Sequence, residues 1–217
     1  MKFEDTPQIR ADAVAAVRRM DALGMNRGST GNLSVRAGAG MLITPTGMGA
    51  DDLRPQDLVW CGWDGSVRGD WKPSSEWHFH QAIYRARADL NAVLHTHSTH
   101  AAALACLRRE LPAFHYMVAL AGGDSVPCVP YHLFGTEALS QAVAVAVQDR
   151  DACLLANHGL IAAGDTLARA MKVLQEIESL CEVYLKALAV GEPAVLSREQ
   201  MGEVIAKFAQ YGKTARA

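Results

Sequence analysis

A chain of 217 residues suits one domain with a sizeable core, or at most two small ones. Its formal charge of −2 and pI near 6.4 give no whole-chain pull toward nucleic acid or an anionic membrane. No run of about 18 apolar residues could cross a bilayer, and Met1 to Asp5 lacks the apolar stretch of a secretory signal. A soluble cytoplasmic protein with no nucleic-acid or membrane partner is therefore expected. The five cysteines, Cys61, Cys106, Cys128, Cys153 and Cys181, are odd in number and never form a C-x-x-C pair. That argues against a disulfide framework and a thiolate metal site, and all five read as small buried hydrophobes. With no repeat, low-complexity tract or linker, residues 1–217 read as a single domain.

Thr6-Pro7 has the form of an N-cap and first helical residue, and Ile9, Ala13, Ala16, Val17 and Met20 make one apolar stripe before Gly24. Gly28-Ser29-Thr30-Gly31 then leads into an alternating strand, Asn32 to Arg36. Its small polar residues suit either an anion site or a plain glycine turn. A second strand, Met41-Leu42-Ile43, runs into Thr44-Pro45-Thr46-Gly47, so two hydroxyl-rich loops are expected side by side at one end of a hairpin. Asp57 to Cys61 and Ser66-Val67 read as a further hairpin around Gly62 to Gly65. Pro73-Ser74-Ser75-Glu76 opens a helix running to about Arg87. Serine at the cap and glutamate in the first turn are good capping chemistry. The same geometry offers hydroxyls and free N–H groups to a phosphate and sets a glutamate beside it, where it could face a metal. His78 and His80, two apart on a helix, diverge and read as packing or surface residues.

The stretch Asn91 to Ser98 ends an apolar run in two histidines, His95 and His97. On a strand, residues two apart share a face with Cα atoms roughly 6.5 Å apart, so both imidazoles can meet one ion. On a helix they would lie on nearly opposite faces. Ser98-Thr99 offers an N-cap to the alanine-rich segment Ala101 to Leu107, which places the pair at the C-terminal end of a strand turning into a helix. An H-x-H pair alone also fits a hydrogen-bonded or surface pair, and a third ligand would decide. Leu111 to Asp124 is irregular, and Val126 to Pro130, with two prolines, is an edge strand or coil. Thr136 caps a helix from Glu137 to Val147. Ala152 to Ala156 is a buried strand running straight into Asn157-His158-Gly159. His158 is the candidate third ligand, and Gly159 lets another group approach its backbone closely. Leu160 to Ala163 continues as a strand. A long helix then carries Leu167, Met171, Leu174, Ile177, Cys181, Tyr184, Leu185 and Leu188 on one broad apolar stripe.

Taken in order, GSTGNLSVR with ITPTG, PSSEWHFH, HTH and ANHGLI resemble the class II aldolase/adducin family. The likeness runs over nearly the whole chain to Lys207–Gly212, and is nearest to the aldolases of the family that cleave fuculose 1-phosphate. The resemblance implies an α/β fold, a single three-layer α/β/α domain whose central, largely antiparallel sheet is covered by helices. It implies that His95, His97 and His158 bind a divalent metal, usually Zn2+, with Mn2+ or Co2+ as alternatives. Three neutral imidazoles with an open position are a donor set that catalytic zinc independently allows. It further implies that Glu76 is the acid/base and that Asn32, Thr46, Gly47, Ser74 and Ser75 hold a substrate phosphate. Tyr116 and Tyr211 match aromatic residues that reach a neighbouring subunit's site in a homotetramer, Tyr116 being a candidate base for the C4 hydroxyl. The activity implied is cleavage of a sugar phosphate, a ketose 1-phosphate of the fuculose or 5-deoxypentulose type, to dihydroxyacetone phosphate and a small aldehyde. Two other activities of the family, and one non-catalytic role, stand beside it. Pentulose-5-phosphate 4-epimerases carry aspartate where this chain has Glu76, methylthioribulose-1-phosphate dehydratases have similar ligands, and the non-catalytic adducin-like binding modules lack the histidine set.

Overall fold

The computed structural model describes residues 4–210. In chain order its elements are α1 (Pro7–Ala22), β1 (Asn32–Ala37), β2 (Gly40–Ile43), β3 (Val59–Gly62), β4 (Val67–Arg68), α2 (Trp77–Ala86), β5 (Ala92–Thr96), α3 (Thr99–Cys106), β6 (Cys128–Val129), α4 (Glu137–Ala146), β7 (Ala152–Leu155), β8 (Gly159–Gly164), α5 (Leu167–Leu188) and α6 (Arg198–Gln210). The strands form one sheet in the order β4-β3-β2-β1-β5-β8-β7-β6. Every neighbouring pair is antiparallel except β6 and β7.

The period of two along each strand divides the core into two layers. Leu33, Val35, Leu94, Leu154, Leu160 and Ala162 face α1, α3 and α5, while Val93, Cys153, Leu155, Ile161 and Ala163 face α2 and α4. Both faces of the central strands are apolar because both are covered, and the result is the three-layer α/β/α arrangement with a largely antiparallel sheet. Among the described residues no helix is long and apolar enough to cross a membrane.

Local chemistry explains most element ends. The Thr6 hydroxyl accepts from the Ile9 N–H at 3.2 Å with Pro7 behind it, and Thr136 does the same for Leu139 at 3.3 Å. The start of α2 differs from the expectation. The Ser74 N–H donates to the Thr44 carbonyl at 3.0 Å, and Pro73 bridges Pro45. This segment therefore stays with the sheet, the helix begins at Trp77, and Glu76 occupies the N-cap position without capping it. At α3 the cap residue is Ser98 as expected, but the capping oxygens come from Glu178 on α5, which accepts from the His100 and Ala101 N–H groups at 2.9 Å each. The irregular region contains a short 3-10 helix, Tyr116–Ala121. The sequence reading did not anticipate α6, whose Met201, Val204 and Phe208 pack on the α5 side of the core. Of the cysteines, Cys61, Cys153 and Cys181 are buried, but Cys128 is half-buried and Cys106 exposed. Cys106 is the last residue of α3, where the helix runs out into solvent.

Candidate active site

The site gathers at one end of the central strands. The β1–β5 ladder sets Asn32 opposite His95, and the β5–β8 ladder sets Thr96 opposite Leu160. A carbonyl only accepts, so the Leu160 oxygen, 3.1 Å from His95 Nδ1, fixes the proton there and leaves His95 Nε2 bare and turned inward. His158 is delivered by the tight turn after β7. Asn157 adopts φ +56, its N–H donates to the Ala105 carbonyl, and the His158 N–H returns to the Leu155 carbonyl, both at 3.0 Å. Gly159 is required by contact, since a Cβ there would collide with the Thr96 carbonyl oxygen. The close approach that the sequence suggested is thus made by β5 itself.

His95, His97 and His158 offer ligand atoms that all lie within 4.8 Å of one another. Their ring centroids are 4.7 to 4.9 Å apart, and each pair of ring planes meets at 74 to 75°. The three rings therefore surround one point almost evenly. His95 Nε2 and His97 Nε2 are 3.1 Å apart, and two bare nitrogens so close repel unless a proton or cation lies between them. Ligands at zinc–nitrogen distances of about 2.0–2.1 Å in a tetrahedron stand roughly 3.3 Å from one another. Glu76 completes the group: its Oε2 is 3.3 Å from His95 Nε2 and its Oε1 3.3 Å from His158 Nε2. Glu76 Oε1 is also a buried oxygen with no hydrogen-bond partner among the described residues, which is what a position completed by a cation leaves behind. The donor set fits a divalent metal.

Electrostatics agree. Burial, together with the neighbouring imidazoles, holds His95 well below the ordinary histidine range, and burial lowers His97 and His158 as well. All three are neutral near pH 7, the form that binds metal. Burial raises the Glu76 carboxyl, opposed by His158 and by the Asn32 amide.

In front of Glu76 lies a cavity of about 350 Å³ lined by Ser29, Thr30, Gly31, Asn32, Thr46, Gly47, Ser74, Ser75, Tyr131, His132, Phe134 and Asn157, with His97 and His158 at its floor. The two hydroxyl-rich loops do meet here. Gly31 and Gly47 both take φ +73, a conformation that turns successive N–H groups to one side and suits an anion. No lysine or arginine is among these lining residues. Asn32 is shared between two tasks: one amide hydrogen goes to Glu76 Oε2 at 2.9 Å, and the other is left for the cavity. Tyr116, half exposed, lies apart from this group and lines a different cavity with Arg169, Lys172, Lys207 and Phe208. Tyr211 falls outside the described residues.

One buried residue of the site was read from sequence only as a packing or surface residue, without its hydrogen-bond partners. His78 is exposed, as expected, but His80 is fully buried and joins Asn32 to Ser34. The signal was present at a different spacing: Glu76 at the N-cap of α2 and His80 and Tyr84 within it recur every four residues, facing Asn32 and Ser34 two apart on β1.

Residues 11–185 match the family model described as Class II Aldolase and Adducin N-terminal domain. The chain belongs to this family. It is 49% identical over 208 residues to 5-methylthioribulose-1-phosphate/5-deoxyribulose-1-phosphate aldolase of Rhodospirillum rubrum, covering 96% of this chain and 94% of the relative. To L-fuculose phosphate aldolase of Escherichia coli it is 47% identical over 194 residues, 89% and 90% of the two chains. A solved structure of L-fuculose 1-phosphate aldolase superposes with a TM-score of 0.91 at 36% identity, covering 94% of this chain and 97% of that one. The class II aldolase fold expected from the ordered motifs is the fold observed.

Proposed function

We propose that this protein is a metal-dependent aldolase, a carbon–carbon lyase that cleaves a ketose 1-phosphate to dihydroxyacetone phosphate and a small aldehyde. The observation that carries this is the meeting of three neutral, inward-turned imidazoles with a buried carboxyl at the floor of a hydroxyl-lined cavity that has no lysine or arginine among its described lining residues. The substrates named for the relatives, 5-methylthioribulose 1-phosphate, 5-deoxyribulose 1-phosphate and L-fuculose phosphate, support the same class. Residues 1–217 are read as one class II aldolase/adducin-like domain.

His95, His97 and His158 would hold the ion, with zinc the reading and manganese or cobalt the alternatives. When bound, it supplies Lewis-acid neutralisation of the negative charge that carbon–carbon cleavage leaves on the ketose oxygens, worth several kcal/mol at the transition state. The rest belongs to the chain. Thr46, Gly47, Ser74, Ser75 and the free amide hydrogen of Asn32 hold the phosphate with neutral donors. Hydroxyls and backbone N–H groups position the dianion without a bulky side chain. Glu76, its carboxyl raised by burial, is the acid that gives a proton to the carbon released by C3–C4 cleavage. Tyr116 and Tyr211 complete the site from a neighbouring subunit of a cytoplasmic homotetramer, and Tyr116 takes the C4 hydroxyl proton.

A substrate panel with coupled detection of dihydroxyacetone phosphate tests the reading. Turnover of 5-deoxyribulose, 5-methylthioribulose or fuculose 1-phosphate, with poor turnover of the unphosphorylated ketoses, is the expected result. No dihydroxyacetone phosphate from any of them, or equal turnover without the phosphate, would contradict it.

A further inference from the structure

Behind Glu76 the side chains form a hydrogen-bonded line with one direction. The Asn32 amide donates to Glu76 Oε2 at 2.9 Å, Asn32 Oδ1 pairs with His80 Nε2, His80 Nδ1 lies 2.7 Å from Ser34 Oγ, and the Tyr84 hydroxyl donates to the Ser34 carbonyl at 3.0 Å. Ser34 and His80 are wholly buried, and Asn32, Glu76 and Tyr84 are at most 7% exposed. The direction follows from donor chemistry. A carboxylate only accepts, so Asn32 must turn its NH₂ toward Glu76 and its oxygen toward His80. His80 must then carry its hydrogen on Nε2, leaving Nδ1 to accept from the Ser34 hydroxyl. The two oxygens of Glu76 are thereby made unequal. Oε2 is tied to Asn32, whereas Oε1 has no hydrogen-bond partner among the described residues and lies beside His158.

We propose that His80 and Ser34 are positioning residues that act through Asn32 to anchor Glu76 by Oε2 and so fix where its other oxygen, Oε1, is aimed. This rests on Glu76 being the acid/base. It assigns a function to a histidine that touches neither substrate nor metal. The line uses helical spacing on α2 and strand spacing on β1, so each member is held by an element and not by a loop.

His80→Phe removes both hydrogen bonds at similar bulk, whereas His80→Gln keeps an N–H near the place of Nε2. The phenylalanine variant is expected to retain one metal per chain and a KM within about twofold while kcat falls roughly 10-fold to 100-fold, the range for a displaced reacting group. The glutamine variant is expected to regain most of that loss, which a purely structural role would not produce. On zinc-loaded parent protein, imidazole ¹⁵N spectra are expected to show His80 neutral with its hydrogen on Nε2. An Nδ1–H form would overturn the proposal whether or not the variants fold. So would a folded, metal-loaded His80→Phe enzyme with parent kcat beside an inactive Glu76→Gln enzyme, a result that leaves the acid/base reading standing. Full activity of Glu76→Gln would remove both.

Discussion

Glu76 sits where a carboxyl can change its proton without changing its place, because Asn32 holds one oxygen and burial raises the group. Glu76→Gln keeps the size and an acceptor for Asn32, and the native side chain makes no capping bond to lose. Folding and metal content are therefore expected to change little while kcat falls by about 10²–10⁴-fold. Steady-state kinetics beside elemental analysis checks this, and a near-parent rate would make Glu76 structural. His80 carries a second expectation. Burial pushes its imidazole down to about 3, against about 6.5 in an unfolded chain. Below about pH 6.5 the unfolded chain takes a proton that the folded one refuses, so this residue's share of stability is full above that pH and is lost as pH falls toward 3. Urea unfolding of metal-free protein at stepped pH should show a steeper acid loss for the parent than for His80→Gln, and equal slopes would contradict it. The three histidines that meet in the site could be picked out from sequence because H-x-H marks a strand end and His158 repeats the context. His80 could not be read that way while it was paired with His78. Its partners are Glu76 four residues earlier and Asn32 on another strand.

The elements place these groups by contacts that local sequence does not announce. Ser98 was recognisable as the start of α3, but the oxygens that cap this helix lie 80 residues away on α5. Glu178 accepts from Ser98 Oγ at 2.6 Å, from the His100 and Ala101 N–H groups, and lies 2.9 Å from His100 Nδ1. It thus fixes the turn that carries His97 off the end of β5. Glu178→Ala would strip two helix-start N–H groups of their acceptor, a loss of roughly 1–3 kcal/mol. For a chain of this length that is roughly 2–4 °C in Tm per kcal/mol. A weaker metal affinity should accompany it, measured by chelator competition. Unchanged affinity with lowered Tm would mean that α3 can fray without moving His97. The misplaced start of α2 has the same origin. Serine and glutamate before Trp77 spell a helix cap by local rules, but pairing of Pro73 and Ser74 with the strand end at Thr44 and Pro45 overrides them. This pairing is also what brings Ser74 and Ser75 to the cavity and leaves Glu76 facing the histidines.

Across the whole molecule, the strand order was the part hidden from sequence. Alternation and cap residues locate most strands and helices, whereas the pairings of β1 with β5 and of β5 with β8 bring residues 32, 95 and 160 together only after folding. Motif order supplied what spacing could not, through the likeness to the family. Tyr116 stands away from the histidine cavity of its own chain, so the shared-site arrangement requires an assembly. Light scattering is expected to give a tetramer, and mixed assemblies of Glu76→Gln and Tyr116→Phe subunits are expected to recover activity that neither has alone; a monomer of full activity would exclude it. The central claim, that three strand-end histidines hold the ion on which aldol cleavage depends, is tested most directly by elemental analysis of the purified protein and of its His95→Ala and His158→Ala variants. One divalent ion per chain in the parent, lost in both variants together with dihydroxyacetone phosphate release, is the predicted result. Full metal occupancy in either variant, or undiminished cleavage by metal-free protein, would contradict it.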